Sequence, residues 1–184
     1  MILEAKLAKE LTVTGSRPST DEYFLKMAEL VAVRSTCFRR AVGCVLVDSA
    51  KHVLSTGYNG VAKGLPHCNE ATAIVPNPKL EGRKPEHWET ATVMEYGNAC
   101  PGAHQPSGQG LHLCEAIHAE QSALIQCHDV SAIHTVYCTA SPCVQCMRLI
   151  LGTGAKRIVF RQEYPHPQSK DLALRAGIEW TCVS

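Results

Sequence analysis

Apolar residues recur at Phe24, Met27, Ala28 and Val31 through residues 23–34. That is the spacing of a helix with one buried stripe. Ser19-Thr20-Asp21-Glu22 precedes it with capping-box spacing, serine first and glutamate three residues later. The pattern then shortens. Residues 42–48 and 52–56 are short β-rich runs flanking Ser49-Ala50-Lys51, which predicts a hairpin. From Gly57 to Gly110 no period survives, and the stretch is rich in proline and glycine. A structureless insertion of that length needs an ordering device of its own.

Beyond it the alternation resumes. Residues 115–127 read as a helix, 133–139 as a strand, and 143–151 as a helix ended by Gly152 or Gly154. Residues 157–160 read as a strand, 168–175 as a helix closed by Gly177, and 178–182 as a last strand. Alternating strands and helices imply crossover connections and a mixed sheet covered on both faces. The expected fold is α/β, a three-layer α/β/α sandwich on a five-stranded mixed sheet. The expected organisation is one domain over residues 1–184, with an insertion at about 57–110.

The 184 residues are 45% apolar, enough to bury a core, and no tract has the composition of a disordered segment. Eighteen Lys and Arg against 17 Asp and Glu leave a net charge of +1. A general nucleic-acid polymer binder would carry a concentrated basic face, so that class is disfavoured, while a single nucleotide is not. No signal-like or membrane-length apolar run is present, so a cytoplasmic location is expected. Ten cysteines in a reducing compartment then call for a reason other than disulfides, and metal ligation is the leading one. Cys44, Cys138 and Cys182 read as small core residues.

Two segments carry chemistry: His118-Ala119-Glu120 and Pro142-Cys143-Val144-Gln145-Cys146. Each falls at a helix start. Cysteines three apart on a first turn project to one side, so both sulfurs can reach one ion. His118, Cys143 and Cys146 make three ligands and leave the fourth tetrahedral position of a Zn2+ open, as in catalytic sites. The helix N-termini favour thiolates there. A water at the open position has its pKa lowered to about 7. Glu120, two residues from a ligand, is placed to move protons between water, a ring nitrogen and a leaving ammonia. The combined His-x-Glu and Pro-Cys-x-x-Cys pattern is the general signature of zinc nucleobase deaminases. Alone, Cys-x-x-Cys could be half of a structural zinc site or a redox pair, but a thioredoxin-like pair belongs after the first strand.

With these motifs the chain resembles the cytidine and deoxycytidylate deaminase superfamily from about Ser19 to Trp180, most closely the deoxycytidylate (dCMP) deaminases of bacteria and phages. Supporting pieces are Arg34-Ser35-Thr36-Cys37, Val42-Gly43-Cys44-Val45-Leu46-Val47, Gly57-Tyr58-Asn59-Gly60, Ser141-Pro142-Cys143, Ile158-Val159-Phe160 and Tyr164. The resemblance implies hydrolysis of dCMP to dUMP and ammonia, with Asn59, Arg34, Tyr164 and Ser141 as substrate-binding residues. It also implies a homo-oligomer, commonly a hexamer, with dCTP activating and dTTP inhibiting through a site that uses Mg2+. One departure stands out: Ser122 occupies the place where the family usually has asparagine. A serine there is compatible with a modified cytosine or another phosphorylation state.

Cys37, Cys68, Cys100 and Cys114 remain, with His67, His104 and His112 near them. A Cys-rich second zinc would pin the insertion. Some relatives carry such a zinc with a cysteine in the place of Cys37. All four cysteines are the expected set, with His67 or His104 in place of one as the rival, against free thiols. Competing readings keep the first zinc and change the ligand to a riboflavin-pathway, guanine or tRNA adenosine type, or make the protein a zinc-stabilised scaffold. Phe38-Arg39-Arg40-Ala41 before Val42-Gly43 counts against the riboflavin type, and the retained Glu120 counts against a scaffold.

Overall fold

The chain's computed structural model describes residues 17–65, 67–68, 100, 102, 113–164 and 167–184. Most of the expected insertion, with His104 and His112, lies outside the described residues.

Helix α1 (Thr20–Ala32) starts where the capping pattern places it, with Ser19 Oγ accepting from the Glu22 amide at 3.1 Å. Glu22's carboxylate does not turn back to complete the box; it accepts from Arg161 instead. The hairpin follows as β1 (Gly43–Val47) and β2 (Val53–Tyr58), turning through Lys51 at φ 73°. Strand β2 therefore continues past Gly57, where the periodicity had predicted it to stop.

Short strands β3 (Gly60–Val61) and β4 (Ala116–Ile117) pair antiparallel. Helix α2 (Ala119–Gln126) thus begins four residues later than the sequence pattern suggested. Glu115 and Ala116 are good helix formers, but pairing with a segment far away in the chain overrides that local preference. Then come β5 (Thr135–Ala140), α3 (Val144–Ile150), β6 (Arg157–Gln162), α4 (Pro167–Arg175) and β7 (Glu179–Cys182). Gly177 closes α4 at φ 74°, a left-handed conformation that glycine adopts without strain.

The main sheet runs β2-β1-β5-β6-β7. Strand β1 is antiparallel to both neighbours, whereas β5, β6 and β7 are mutually parallel. Alternation along the strands splits the core in two. On one face Val45, Val47, Tyr137 and Val159 pack under Phe24, Leu25 and Ala28 of α1. On the other, Cys44, Leu46, Val136, Cys138, Ile158 and Phe160 meet Ala119 and Ala123 of α2, Met147 and Ile150 of α3, and Ala173 of α4. The result is the expected α/β architecture, helices on both faces of a five-stranded mixed sheet. Cys44 and Cys138 are core residues, paired across β1 and β5. Cys182, expected in the core, is exposed because it ends the edge strand β7.

Two glycines set how closely helices approach the sheet. A Cβ on Gly43 would lie 2.0 Å from the Ala28 carbonyl oxygen of α1. One on Gly57 would lie 2.3 Å from both the Ala119 carbonyl oxygen and the Ala123 nitrogen of α2. Among the described residues no helix is long and apolar enough to cross a membrane.

Candidate active site

His118 and Cys143 are the N-cap residues of α2 and α3, each in extended backbone (φ −69°, ψ 157° and φ −70°, ψ 168°). That conformation turns a side chain back across the helix start. Gln121 stabilises the first cap by accepting from the His118 amide at 2.9 Å. Cys146 follows on the first turn of α3. His118 Nδ1 lies 3.4 Å from Cys143 Sγ and 3.3 Å from Cys146 Sγ. A tetrahedral Zn2+ with ordinary bond lengths separates nitrogen and sulfur ligands by about 3.5 Å. The donor set, three residues whose ligand atoms all lie within 4.8 Å of one another, fits that ion.

The protonation of the donors points the same way. Cys143 falls to about 3, chiefly because Cys146 donates a hydrogen bond to it, with the His118 imidazole adding. Cys146 is raised, holding the proton the pair shares. His118 is raised mainly by its bond to Cys143. A site that already gathers a thiolate, a thiol and an imidazole is one that a cation completes. Glu120 sits beside it, 4% exposed, and burial pushes its carboxyl up from the ordinary range. Burial thus suits it to carrying a proton as well as accepting one.

These groups open onto a cleft that His118, Glu120 and Cys143 share with Arg39, Arg40, Asn59, Ser141 and Tyr164. Asn59 is 8% exposed, and its amide clamps the backbone. Its Oδ1 accepts from the Val42 amide at 2.8 Å, and its Nδ2 donates to the Arg40 carbonyl at 2.8 Å. Ser141 Oγ accepts from the Tyr164 amide at 2.7 Å, tying the end of β5 to the segment after β6. Arg34 is exposed just past the end of α1 and does not line this cleft. Ser122 is also outside the lining; its hydroxyl and carbonyl face the Gln126 amide.

Sequence reasoning missed Arg39 and Arg40. The signal for them was the basic pair immediately ahead of Val42-Gly43. A pair of charges leading into a buried strand should have been read as facing a ligand.

The remaining cysteines gather at the same end. Cys68 and Cys100 are 3% and 1% exposed and pack with Cys114 and Val61. Burial first, then the neighbouring Cys100, Cys37 and Cys114, push Cys68 up to about 12. Cys37 and Cys114 also line the cleft. His67 Nδ1 is 3.3 Å from Thr36 Oγ1.

A mixed α/β/α sheet carrying His/Cys/Cys donors at two helix starts, with a buried glutamate beside them, defines a zinc-site deaminase fold. Residues 18–162 match the model for the cytidine and deoxycytidylate deaminase zinc-binding region, and the chain belongs to that family. It is 36% identical over 149 residues to the deoxycytidylate deaminase of Mycobacterium phage D29, covering 80% of this chain and 98% of that protein. The Saccharomyces cerevisiae deoxycytidylate deaminase is 33% identical over 165 residues, 88% of this chain; the chain spans 44% of that relative's length. The cyanophage S-TIM5 dCMP deaminase, solved in complex with dCMP and dUMP, superposes with a TM-score of 0.62 at 25% identity. That match covers 92% of this chain and all of the cyanophage chain.

Proposed function

We propose that this chain is a single-domain, zinc-dependent enzyme that deaminates dCMP hydrolytically to dUMP and ammonia. The observation that carries this is the buried Glu120 beside the His118, Cys143 and Cys146 donors, in a family whose similar members are deoxycytidylate deaminases. Bound Zn2+ supplies Lewis-acid activation of water at this site. Glu120 accepts a proton from the attacking water and passes it to N3 of the cytosine ring. A second proton then goes to the exocyclic nitrogen as the C4–N4 bond breaks and ammonia leaves. The water oxygen remains on C4 as the uracil carbonyl. Ser122, outside the cleft, leaves the lining unchanged, which favours dCMP over a modified cytosine.

The proposal extends to a second, structural Zn2+ on Cys37, Cys68, Cys100 and Cys114. Its support is the convergence of two buried thiols with two further cysteines around them. A cluster of neutral thiols packed together lacks the ionic stabilisation that a metal would provide. None of the ten cysteines is joined in a disulfide, which suits metal ligation in a reducing compartment such as the cytoplasm. Assembly into a homo-oligomer, with dCTP and dTTP acting through Mg2+, completes the reading and is tested by light scattering and by rates with those effectors.

The decisive assay follows loss of cytosine absorbance with zinc-loaded protein on dCMP, beside cytidine, dCTP and 5-methyl-dCMP. Turnover of dCMP above the others is expected. Glu120→Gln should keep zinc and fold and lose at least about 100-fold in rate, the low end for a general acid–base group. Retained turnover in that variant would remove the mechanism. Metal analysis should give two zinc ions per chain, and one would remove the second site.

A further inference from the structure

We infer that Ser35 is a positioning residue for the reaction, latching the Cys37 segment onto Asn59 as one wall of the cleft, a role that rests on the deaminase reading. Asn59 and Cys37 both line the cleft, and Ser35 stands behind them without lining it. Its hydroxyl donates to the Asn59 carbonyl at 2.8 Å and accepts from the Cys37 amide at 3.3 Å. A hydroxyl donates and accepts at once, so a single side chain joins the two segments. The latch has a fixed base, because the Ser35 amide donates to the Ala32 carbonyl at the end of α1, at 2.9 Å.

The other bonds of Asn59 show why Ser35 matters. The Asn59 amide donates to the Val42 carbonyl at 3.2 Å, Oδ1 accepts from the Val42 amide, and Nδ2 donates to the Arg40 carbonyl. Those partners are main-chain atoms, present whatever side chains positions 40 and 42 carry. The bond to Ser35 is the one made through a partner's side chain. Without the hydroxyl, the carbonyl of the buried Asn59 and the Cys37 amide both lose an acceptor or donor, and the wall must shift to recover one. His118 and Glu120 belong to α2, and Cys143 to α3, and none of the bonds of Ser35 reaches them. A displaced wall therefore weakens ground state and transition state alike, which raises KM and spares kcat.

The test pairs calorimetry of dUMP on the zinc-loaded protein with rates on dCMP. Ser35→Ala should bind dUMP about 3- to 10-fold more weakly, the range for one hydrogen bond, with circular dichroism confirming the fold. KM for dCMP should rise by the same factor while kcat stays close to wild type. Ser35→Thr keeps the hydroxyl and should recover most of the affinity. Ser35→Cys, similar in shape but a weak donor, is the second variant should Ser35→Ala fail to fold, and it should lose affinity in the same direction. A residue that served only the end of α1 would lower Tm and leave KM and dUMP affinity alone. The latch is overturned if Ser35→Ala binds dUMP like wild type, if its loss falls on kcat with KM intact, or if Ser35→Thr is as weak as Ser35→Ala. Wild-type protein that binds dUMP without deaminating dCMP, with the affinity still lost in Ser35→Ala, sinks the deaminase reading and upholds the latch. Wild-type protein that neither binds dUMP nor deaminates dCMP removes both.

Discussion

Among the described residues, each face of the sheet seats a helix on a strand glycine, but only one of the two helices adds ion pairs. On the catalytic face, α2 is seated by backbone contact, with Gly57 of β2 leaving no room for even a methyl group against Ala119 and Ala123. On the opposite face α1 is seated in the same way, Gly43 of β1 lying against the Ala28 carbonyl above a small apolar cluster, and is tied down in addition by long charged side chains. Arg157 Nη1 and Nη2 donate to the two Asp21 oxygens at 2.6 and 2.8 Å, and Arg157 Nε donates to Glu179 at 2.8 Å. Arg161 likewise bridges Glu22 and Glu29 of the same helix. Backbone against backbone fixes a position to a fraction of an ångström. Ion pairs through flexible side chains hold an element without fixing it so tightly. Among the described residues α2, which aims His118 and Glu120, relies on the backbone seat without such ion pairs.

The largest test of this contrast is Gly57→Ala. The added methyl must push α2 away from β2, costing about 2 kcal/mol or more as overpacking does. Because α2 begins at His118, a loss of activity of at least about 10-fold should accompany the fall in melting temperature, since small misplacements are amplified in rate. Full activity in the variant would show that the seat is not what aims the site. A smaller effect is expected from Arg157→Met on the other face. Arg157 is 21% exposed and Asp21 26%, between a surface pair and a buried one. A loss of about 1–3 kcal/mol follows, or a few degrees per kcal/mol in Tm, with kcat unchanged.

The smallest effect should be in acid. Asp21 and Glu22 are held below the ordinary carboxylate range, first by hydrogen bonds from Arg157 and Arg161 respectively. Depressed carboxylates contribute stability that is present above their unfolded pKa and lost as pH falls through the folded value. Stability from this face should therefore decline below about pH 4. Asp21→Asn should flatten that decline in a denaturation series, and an unchanged slope would remove the pair from the account.

The same contrast explains what could be read from sequence. The metal donors were legible because each is a helix cap next to its motif partner, so local spacing encodes their geometry. The start of α1 was legible for the same reason, through Ser19 and the Glu22 amide. Glu22's carboxylate was not, since its partner Arg161 lies 139 residues away. Strand β4 was read as helix because Gly60–Val61, which pairs with it, lies at the far end of the expected insertion. Arg34 attracted attention as a charge near the right segment, yet it sits exposed at the end of α1. Arg40 escaped notice because three distant segments, carrying Asn59, Ser141 and Tyr164, combine to place it. Local pattern reveals caps and stripes, whereas contacts assembled across the sheet need the fold.

The Asn59 clamp grips only main-chain atoms, the Val42 amide and the Arg40 carbonyl. Its hold is therefore indifferent to which side chain position 40 carries. Exchanging that side chain would redecorate the cleft while its frame stays in place. In engineering or in natural drift, ligand preference in this protein can change one side chain at a time, without a compensating repair elsewhere.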